Sequence, residues 1–295
     1  MKPNTETSIT TKQYRTIKNK HLPSDLLEIH KPPSALYVQG DMPDGYAVAI
    51  VGTRKPTRYG EEVAYRMAFE LAQAGFVIVS GLAYGVDAIA HRAALAAGGK
   101  TIAVLGCGLD ICYPVAHQSL AKQIVRSGGA IVSEYPEGTP PLKHHFPARN
   151  RIIAGLSLGV LVPEADARSG SLITAHMALA ENRVVMAVPG AITNLRSEGP
   201  NNLIRAGAVP VHGPDDVWSA LGLMKPHVDA DDVLQRYSEG SLEYTLLSEL
   251  TRRAHSADSL ARVTQQPVAK ILEVMSILEI TGEVTPLGSG QWIAR

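Results

Sequence analysis

The sequence predicts an α/β fold: a parallel sheet with helices on both faces, followed by a smaller helical module. Three observations predict it. From residue 47 onward, short runs such as AVAIV, FVIVS and TIAVL are apolar at nearly every position with no polar alternation, as strands buried on both faces are. Segments of helical period separate those runs, which is the pattern of a parallel sheet with crossover helices. Past residue 240 the apolar runs stop and amphipathic helices take over.

Residues 1 to about 20 are polar and basic without periodicity, which predicts a disordered tail. KPPSALYVQGDMPDG then reads as an extended arm, so residues 1–45 form a tail and arm ahead of the core. The core, 46–222, opens with a strand at Ala47 to Val51, the turn Gly52-Thr53-Arg54 and a helix from Tyr59 to Ala74 that Gly75 stops. The same grammar repeats with strands at Phe76 to Ser80, Thr101 to Leu105 and Ala130 to Ser133. Helices follow the first two at Val86 to Ala97 and Val115 to Arg126. The loop SEYPEGTPPLKHHFPARN leads to a helix near Arg149 to Leu156. Strands at Gly159 to Pro163, Val184 to Pro189 and Ala208 to Val211 complete the sheet, with helices at Leu172 to Glu181, near Asn202 to Ala206 and at Pro214 to Leu221.

Residues 223–240 carry Pro226, Asp229, Asp231 and Asp232 with little apolar period, and read as a linker. In 241–295, SLEYTLLSELTRR, SADSLARVTQQ and PVAKILEVMSILEITG are helical and EVTPLGSGQWIAR is a hairpin. Three helices and a hairpin predict a winged-helix domain.

Composition excludes several classes. No apolar run reaches membrane-spanning length and the first residues lack the apolar core of a signal peptide, so the expected location is the cytoplasm, with no membrane partner. Lys plus Arg equals Asp plus Glu at 28 each, and the core holds 15 basic against 13 acidic residues. Any basic surface must be a focused pocket. Cys107 and Cys112 have no second pair to make a zinc site or disulfide framework and read as buried structural thiols. His144-His145 lacks a carboxylate or thiol at ligand spacing, so no metal site is expected.

The turns hold the chemistry. Ligands of such sheets bind outside the carboxyl ends of the strands, the side on which every polar glycine turn falls. In Gly52-Thr53-Arg54, backbone N–H groups at a helix start and a guanidinium suit a phosphate. GCGLDI lacks the third glycine of the dinucleotide fingerprint and no GK[ST] occurs, so neither a nicotinamide or flavin cofactor nor ATP hydrolysis is expected. Asp87 and His91 lie four apart on one helix, either an acid/base pair or a hydrogen bond that anchors the helix start. The densest signal is KHHFPARNRIIAG: Lys143, Arg149 and Arg151 are cationic, Asn150 bonds, and Phe146 offers a ring on which a base stacks. RSGSLITA adds Gly170 and Ser171 at another helix start.

In that order, IVGTR, SGLAYGVDAIAH, AVLGCGLDICYP, SEYPEGTPP, FPARNRIIAGLS, EADARSGSLITA and GPNNLIRAGA resemble the DNA processing protein A family, DprA or Smf, over roughly Lys31 to Leu221. The resemblance implies an extended Rossmann-like core that binds single-stranded DNA without cutting it, helps load a RecA-type recombinase in natural transformation, and forms a homodimer. It implies a DNA pocket at Gly52 and Arg54, at Phe146, Arg149, Asn150 and Arg151, and at Gly170 and Ser171; Thr53 and Lys143 join it from the residue reading. Two departures stand out. Many members carry a helical domain ahead of the core, and Val115 and Ala116 stand here where many members are basic.

Two other readings stay open. Nucleotide phosphoribohydrolases of the Lonely Guy type share the architecture but use a PGGxGTxxE turn. Here RSGSLITAHMALAE has no Pro-Gly-Gly, and its first acid is Glu181. A winged helix could also read duplex sequence, though 240–295 holds 5 basic and 6 acidic residues. Leu203 to Leu221 is the expected dimer surface.

Overall fold

The computed structural model describes residues 14–18, 21–223, 234, 236–252, 254–287 and 290–294. They fall into two compact units, divided between Leu221 and Gly222.

The first unit is built on β1 (Arg15–Lys18), α1 (Ser24–Leu27), β2 (Ala35–Gly40), β3 (Ala47–Ile50), α2 (Arg58–Gln73), β4 (Val77–Ser80), α3 (Val86–Ala96) and β5 (Thr101–Leu105). It continues through a 3-10 turn (Val115–His117), α4 (Gln118–Arg126), β6 (Ala130–Ser133), α5 (His145–Gly155), β7 (Gly159–Val162), α6 (Gly170–Ala180) and β8 (Val184–Ala187). A second 3-10 turn (Leu195–Ser197), α7 (Glu198–Arg205), β9 (Val209–Pro210) and α8 (Pro214–Ala220) close it.

These strands form one nine-stranded sheet in the order β1-β2-β6-β5-β4-β3-β7-β8-β9. From β6 to β9 every pairing is parallel. In β5, Ile102 and Val104 enter the apolar cluster of one face while Ala103 and Leu105 enter that of the other. This alternation is why the run has no polar face. Complete burial of each large aliphatic side chain is worth roughly 1.5–3 kcal/mol.

Two sequence expectations change at the amino-terminal edge. The extended arm is β2, which enters the sheet antiparallel to β6, pairing Tyr37 with Ser133. Part of the tail expected to be disordered is β1, antiparallel to β2. Tyr14 stacks edge-on against Tyr37 at 6.0 Å, and Leu36 and Val38 are buried, so a four-residue strand gains an apolar footing that its polar sequence does not announce. Residues 1–13 and 19–20 of that tail lie outside the described residues, as do 224–233 and 235 of the expected linker. Within Leu203 to Leu221, Val211, Val217 and Trp218 are buried in this unit's own core, with Trp218 4.4 Å from Phe76, while Arg205, Ala206, Gly207, Pro210, His212, Asp215 and Ser219 are exposed.

Strand order reverses at β3: β4, β5 and β6 extend to one side of it, β7, β8 and β9 to the other. A sheet that divides this way leaves a crevice beyond the carboxyl ends of the two strands at the division. Gly52 ends β3 there, and a Cβ on it would lie 2.6 Å from the Glu164 carbonyl and 2.7 Å from Val86 Cγ2. Only glycine lets the two chains approach so closely.

The second unit contains α9 (Leu242–Arg252), β10 (His255–Ser256), α10 (Ala257–Thr264), α11 (Val268–Ile280), β11 (Val284–Leu287) and β12 (Gln291–Ala294). Its strands pair in the order β10-β12-β11, all antiparallel. Leu246, Leu250, Leu260, Ile271, Met275 and Leu278 form a separate core.

Candidate functional site

A cleft of about 680 Å³ opens at the strand division. The turn after β3 supplies Gly52, Thr53, Arg54 and Lys55; α5 and its approach supply Lys143, Phe146, Arg149 and Asn150; the start of α6 supplies Ser169, Gly170 and Ser171. Segments over a hundred residues apart thus share one wall. Of the ten residues predicted from sequence, nine line this cleft.

Arg151 does not, and its expected place there is corrected. Its guanidinium holds the Glu134 carboxylate through two bonds of 2.7 and 2.6 Å and donates to the Lys31 carbonyl at 3.0 Å. The cause is helical phase. α5 begins at His145, so positions 149 and 151 lie about 200° apart around its axis and face opposite ways.

Arg149 lines the cleft, but as a buried strut. It donates to the carbonyls of Gly81, at 2.8 Å, and of Val104, and its Nε donates to Asn150 Oδ1 at 3.1 Å. It therefore joins the ends of β4 and β5 to α5. Gly81 makes room for it, since a Cβ there would stand 2.6 Å from the guanidinium. Burial lowers the arginine's pKa, with Asp87 countering. Asp87 is likewise raised by burial and drawn back by Arg149. Asn150 is also held in place, donating to the Gly170 carbonyl at 3.3 Å and so fixing the start of α6 against α5.

The expected phosphate seat at the start of α2 is also corrected, because the protein fills it. Glu164, buried at the end of β7, accepts from the Thr57 N–H at 2.8 Å and the Thr57 hydroxyl at 2.5 Å. Thr57 in turn caps the helix by accepting from Gly60 N–H at 3.1 Å. The helix dipole already has its anion. What remains at this turn for an outside anion is the pair of exposed side chains Arg54 and Lys55.

Electrostatically the cleft's rim carries more cations than carboxylates, with Asp166 its exposed acid. Arg54, Lys55 and Lys143 are exposed, and among the described residues none of them pairs with a carboxylate. Sequence reasoning missed two contributors. Arg196 lines the cleft with its Nε buried and unpartnered. Tyr113 also lines it, 44% exposed, with its ring 5.4 Å from Phe146. Nothing in the residues around Arg196 marks it, but the aromatic beside Pro114 was a visible signal for a second stacking ring.

Asp87 and His91 do not bond each other. Asp87 accepts from the N–H groups of Gly81 and Ala83, at 3.1 and 3.4 Å, which anchors the start of α3. His91 is buried, and because the Thr101 hydroxyl donates to the Ile78 carbonyl, His91 Nδ1 donates to Thr101 Oγ1 at 2.7 Å. Burial pushes this imidazole down to about 3. Among the described residues no group of three His, Cys, Asp or Glu is placed to hold a metal ion. None of the described helices is long and apolar enough to cross a membrane.

Comparison with known proteins places this geometry. The family model described as DNA recombination-mediator protein A matches residues 13–222. Protein Smf of Escherichia coli (strain K12) is 39% identical over 283 residues, 91% of this chain and 74% of that protein. DNA processing protein DprA of Streptococcus pneumoniae (strain ATCC BAA-255 / R6) is 48% identical over 201 residues, 66% of this chain and 69% of that protein. Among solved structures, DprA from Streptococcus pneumoniae superimposes with a TM-score of 0.64 at 43% identity, covering 70% of this chain and 74% of that one. DprA from Helicobacter pylori, described for its single-stranded DNA binding mode, gives a TM-score of 0.64 at 34% identity, covering 77% of this chain and 98% of that one. With a switch-point cleft, unpaired rim cations and matches over most of its length, this chain belongs to the DNA recombination-mediator protein A (DprA/Smf) family.

Proposed function

We propose that the chain binds single-stranded DNA in the switch-point cleft and does not cut it. One observation carries the reading: unpaired cations Arg54, Lys55 and Lys143 surround two adjacent, partly exposed rings, Phe146 and Tyr113, in one cleft. Cations track a backbone of phosphates and rings take unpaired bases, whatever the sequence. A duplex hides its base faces, so the rings favour a single strand. The family match and the Helicobacter pylori relative support the same reading.

In this reading Gly52, Thr53, Gly170 and Ser171 bring backbone close to the strand, while Arg149 and Asn150 hold the walls apart at a fixed spacing. The protein acts in the cytoplasm as a homodimer, shields incoming strands during natural transformation and helps load a RecA-type recombinase. The winged-helix reading of 241–295, after a linker at 223–240, rests on a helix, a short strand, two more helices and a hairpin in that order. That domain serves protein contacts at least as readily as DNA, since Lys270 of α11 pairs with Glu273 at 3.0 Å.

The enzymatic alternative is disfavoured by position. Glu181, the first acid after the α6 turn, follows the far end of an 11-residue helix, about 16 Å from its start, and accepts from the His30 N–H at 2.8 Å. Glycosidic cleavage needs a carboxylate beside the scissile bond.

The test is binding of the full chain to a fluorescent dT oligonucleotide and to a duplex of equal length, with AMP incubated in parallel. Tighter binding of the single strand and no free adenine are expected. Equal or stronger duplex binding overturns the cleft reading, and release of adenine revives the enzyme.

A further inference from the structure

We propose that the polynucleotide track does not end in the cleft but continues past Tyr113 and Tyr84 into a second groove, where Lys55 and Arg92 hold the phosphates and Tyr84 stacks a base. The inference rests on the single-strand reading and extends it to a site of its own. The groove, about 770 Å³, lies against α3 and is lined by Lys55, Tyr84, Arg92 and Glu61, with Arg54 shared between it and the cleft. A small cavity lined by Arg54, Tyr84, Tyr113 and Phe146 shares wall residues with both.

Three observations point to a ligand here. First, Lys55 and Arg92 are exposed, and among the described residues neither pairs with a carboxylate. Second, the Tyr84 ring is 50% exposed yet held: it packs edge-on against His117 at 5.0 Å, which leaves the ring open to a partner. Third, the turn that presents it is strained. Leu82, two residues earlier, is fully buried with φ at +58°, and His117 Nδ1 donates to its carbonyl at 2.8 Å. A leucine in the left-handed region is strained and persists where surrounding structure enforces it, most often at ligand sites. Here the enforcing residue, His117, is also the one that fixes Tyr84.

Three rings serve a strand better than a mononucleotide: Phe146 and Tyr113 line the cleft, Tyr113 and Tyr84 the small cavity, and Tyr84 the second groove, with Lys143, Arg54, Lys55 and Arg92 distributed among the same linings. Glu61 is the single carboxylate in the second groove and opposes the phosphates there.

The experiment titrates the full chain with dT oligonucleotides from 5 to 25 nucleotides long. Y84A and R92A are each expected to lose about tenfold in affinity for the longest oligonucleotide. Both should bind the shortest oligonucleotide that the parent chain binds as well as the parent does. E61Q should gain affinity for the long oligonucleotide only, a result that misfolding cannot imitate, and Y84F should bind like the parent. Equal affinity of parent, Y84A, R92A and E61Q for every length overturns the second groove and leaves the cleft standing. Equal losses on short and long oligonucleotides also overturn it as an extension. Absence of single-strand binding by the parent chain overturns both readings.

Discussion

Replacing Arg54 and Arg151 by alanine, one at a time, separates a cation that faces the cleft from one that does not. Besides the buried strut Arg149, four cations line the cleft without a carboxylate partner among the described residues: Arg54, Lys55, Lys143 and Arg196. Each phosphate neutralised on a single strand contributes about −0.7 to the slope of log affinity against log salt, so four give about −2.8. Raising salt fourfold, from 50 to 200 mM, then weakens binding about 50-fold. Arg54→Ala should reduce the slope to about −2.1 and the same salt step to about 20-fold. Arg151→Ala should leave the slope unchanged, because its guanidinium is tied to Glu134 in a two-bond pair whose side chains are about four-fifths buried. Its loss should appear instead as roughly 1–2 kcal/mol of stability. Fluorescence anisotropy with a dT oligonucleotide at five salt concentrations reads the slopes, and urea unfolding reads the stability. Equal slopes for the parent and Arg54→Ala, or a shallower slope for Arg151→Ala, would refute the assignment of these side chains.

Three more outcomes follow from buried groups. Gly60→Ala should destabilise the first unit by roughly 1–3 kcal/mol even though alanine favours helix by about 1 kcal/mol, because its Cβ would stand 2.1 Å from a Glu164 oxygen held by Thr57; a urea midpoint that rises would contradict this. His91 stays neutral in the fold while the unfolded chain takes a proton below about pH 6.5, so stability falls with pH from there toward 3. The loss by pH 5.5 is about 1.4 kcal/mol, and unfolding curves of His91→Gln at pH 7.5 and 5.5 should lack that component. Burial raises the Cys107 and Cys112 thiols to about 12 and about 11, so native protein should react with a thiol reagent at pH 8 only after urea exposes them; a fast native reaction would show the thiols are accessible.

Most strands and helices of the core were legible because parallel-sheet strands declare themselves as unbroken apolar runs. Ala47–Ile50, Thr101–Leu105 and Ala130–Ser133 lie where those runs stand. The antiparallel edge was not legible: β1 is polar, and its partner β2 takes its support from Ser133 and Val132, almost a hundred residues downstream. The glycine turns marked the cleft, since sheet topology alone decides which end of a strand carries ligands. Arg149 and Arg151 show the limit. Pro147 reads as a residue outside the helix, yet it occupies the third position of α5, where its missing N–H has no intrahelical partner to lose. Positions 149 and 151 of one helix point opposite ways, so the phase set by packing decides which arginine faces the cleft. Likewise the buried state of Arg149 depends on carbonyls at Gly81 and Val104, which no local pattern reveals.

In the proposed reading, Glu164 gives the fold a means of telling a polymer from its monomers. A nucleoside triphosphate drifting toward the start of α2 meets a carboxylate that is covalently part of the protein and cannot be displaced. Free nucleotides, however abundant, gain no foothold from that helix end, whereas a long strand is gripped at many weak points spread over side chains elsewhere. Avidity along the strand, rather than one strong phosphate seat, then sets what the protein retains.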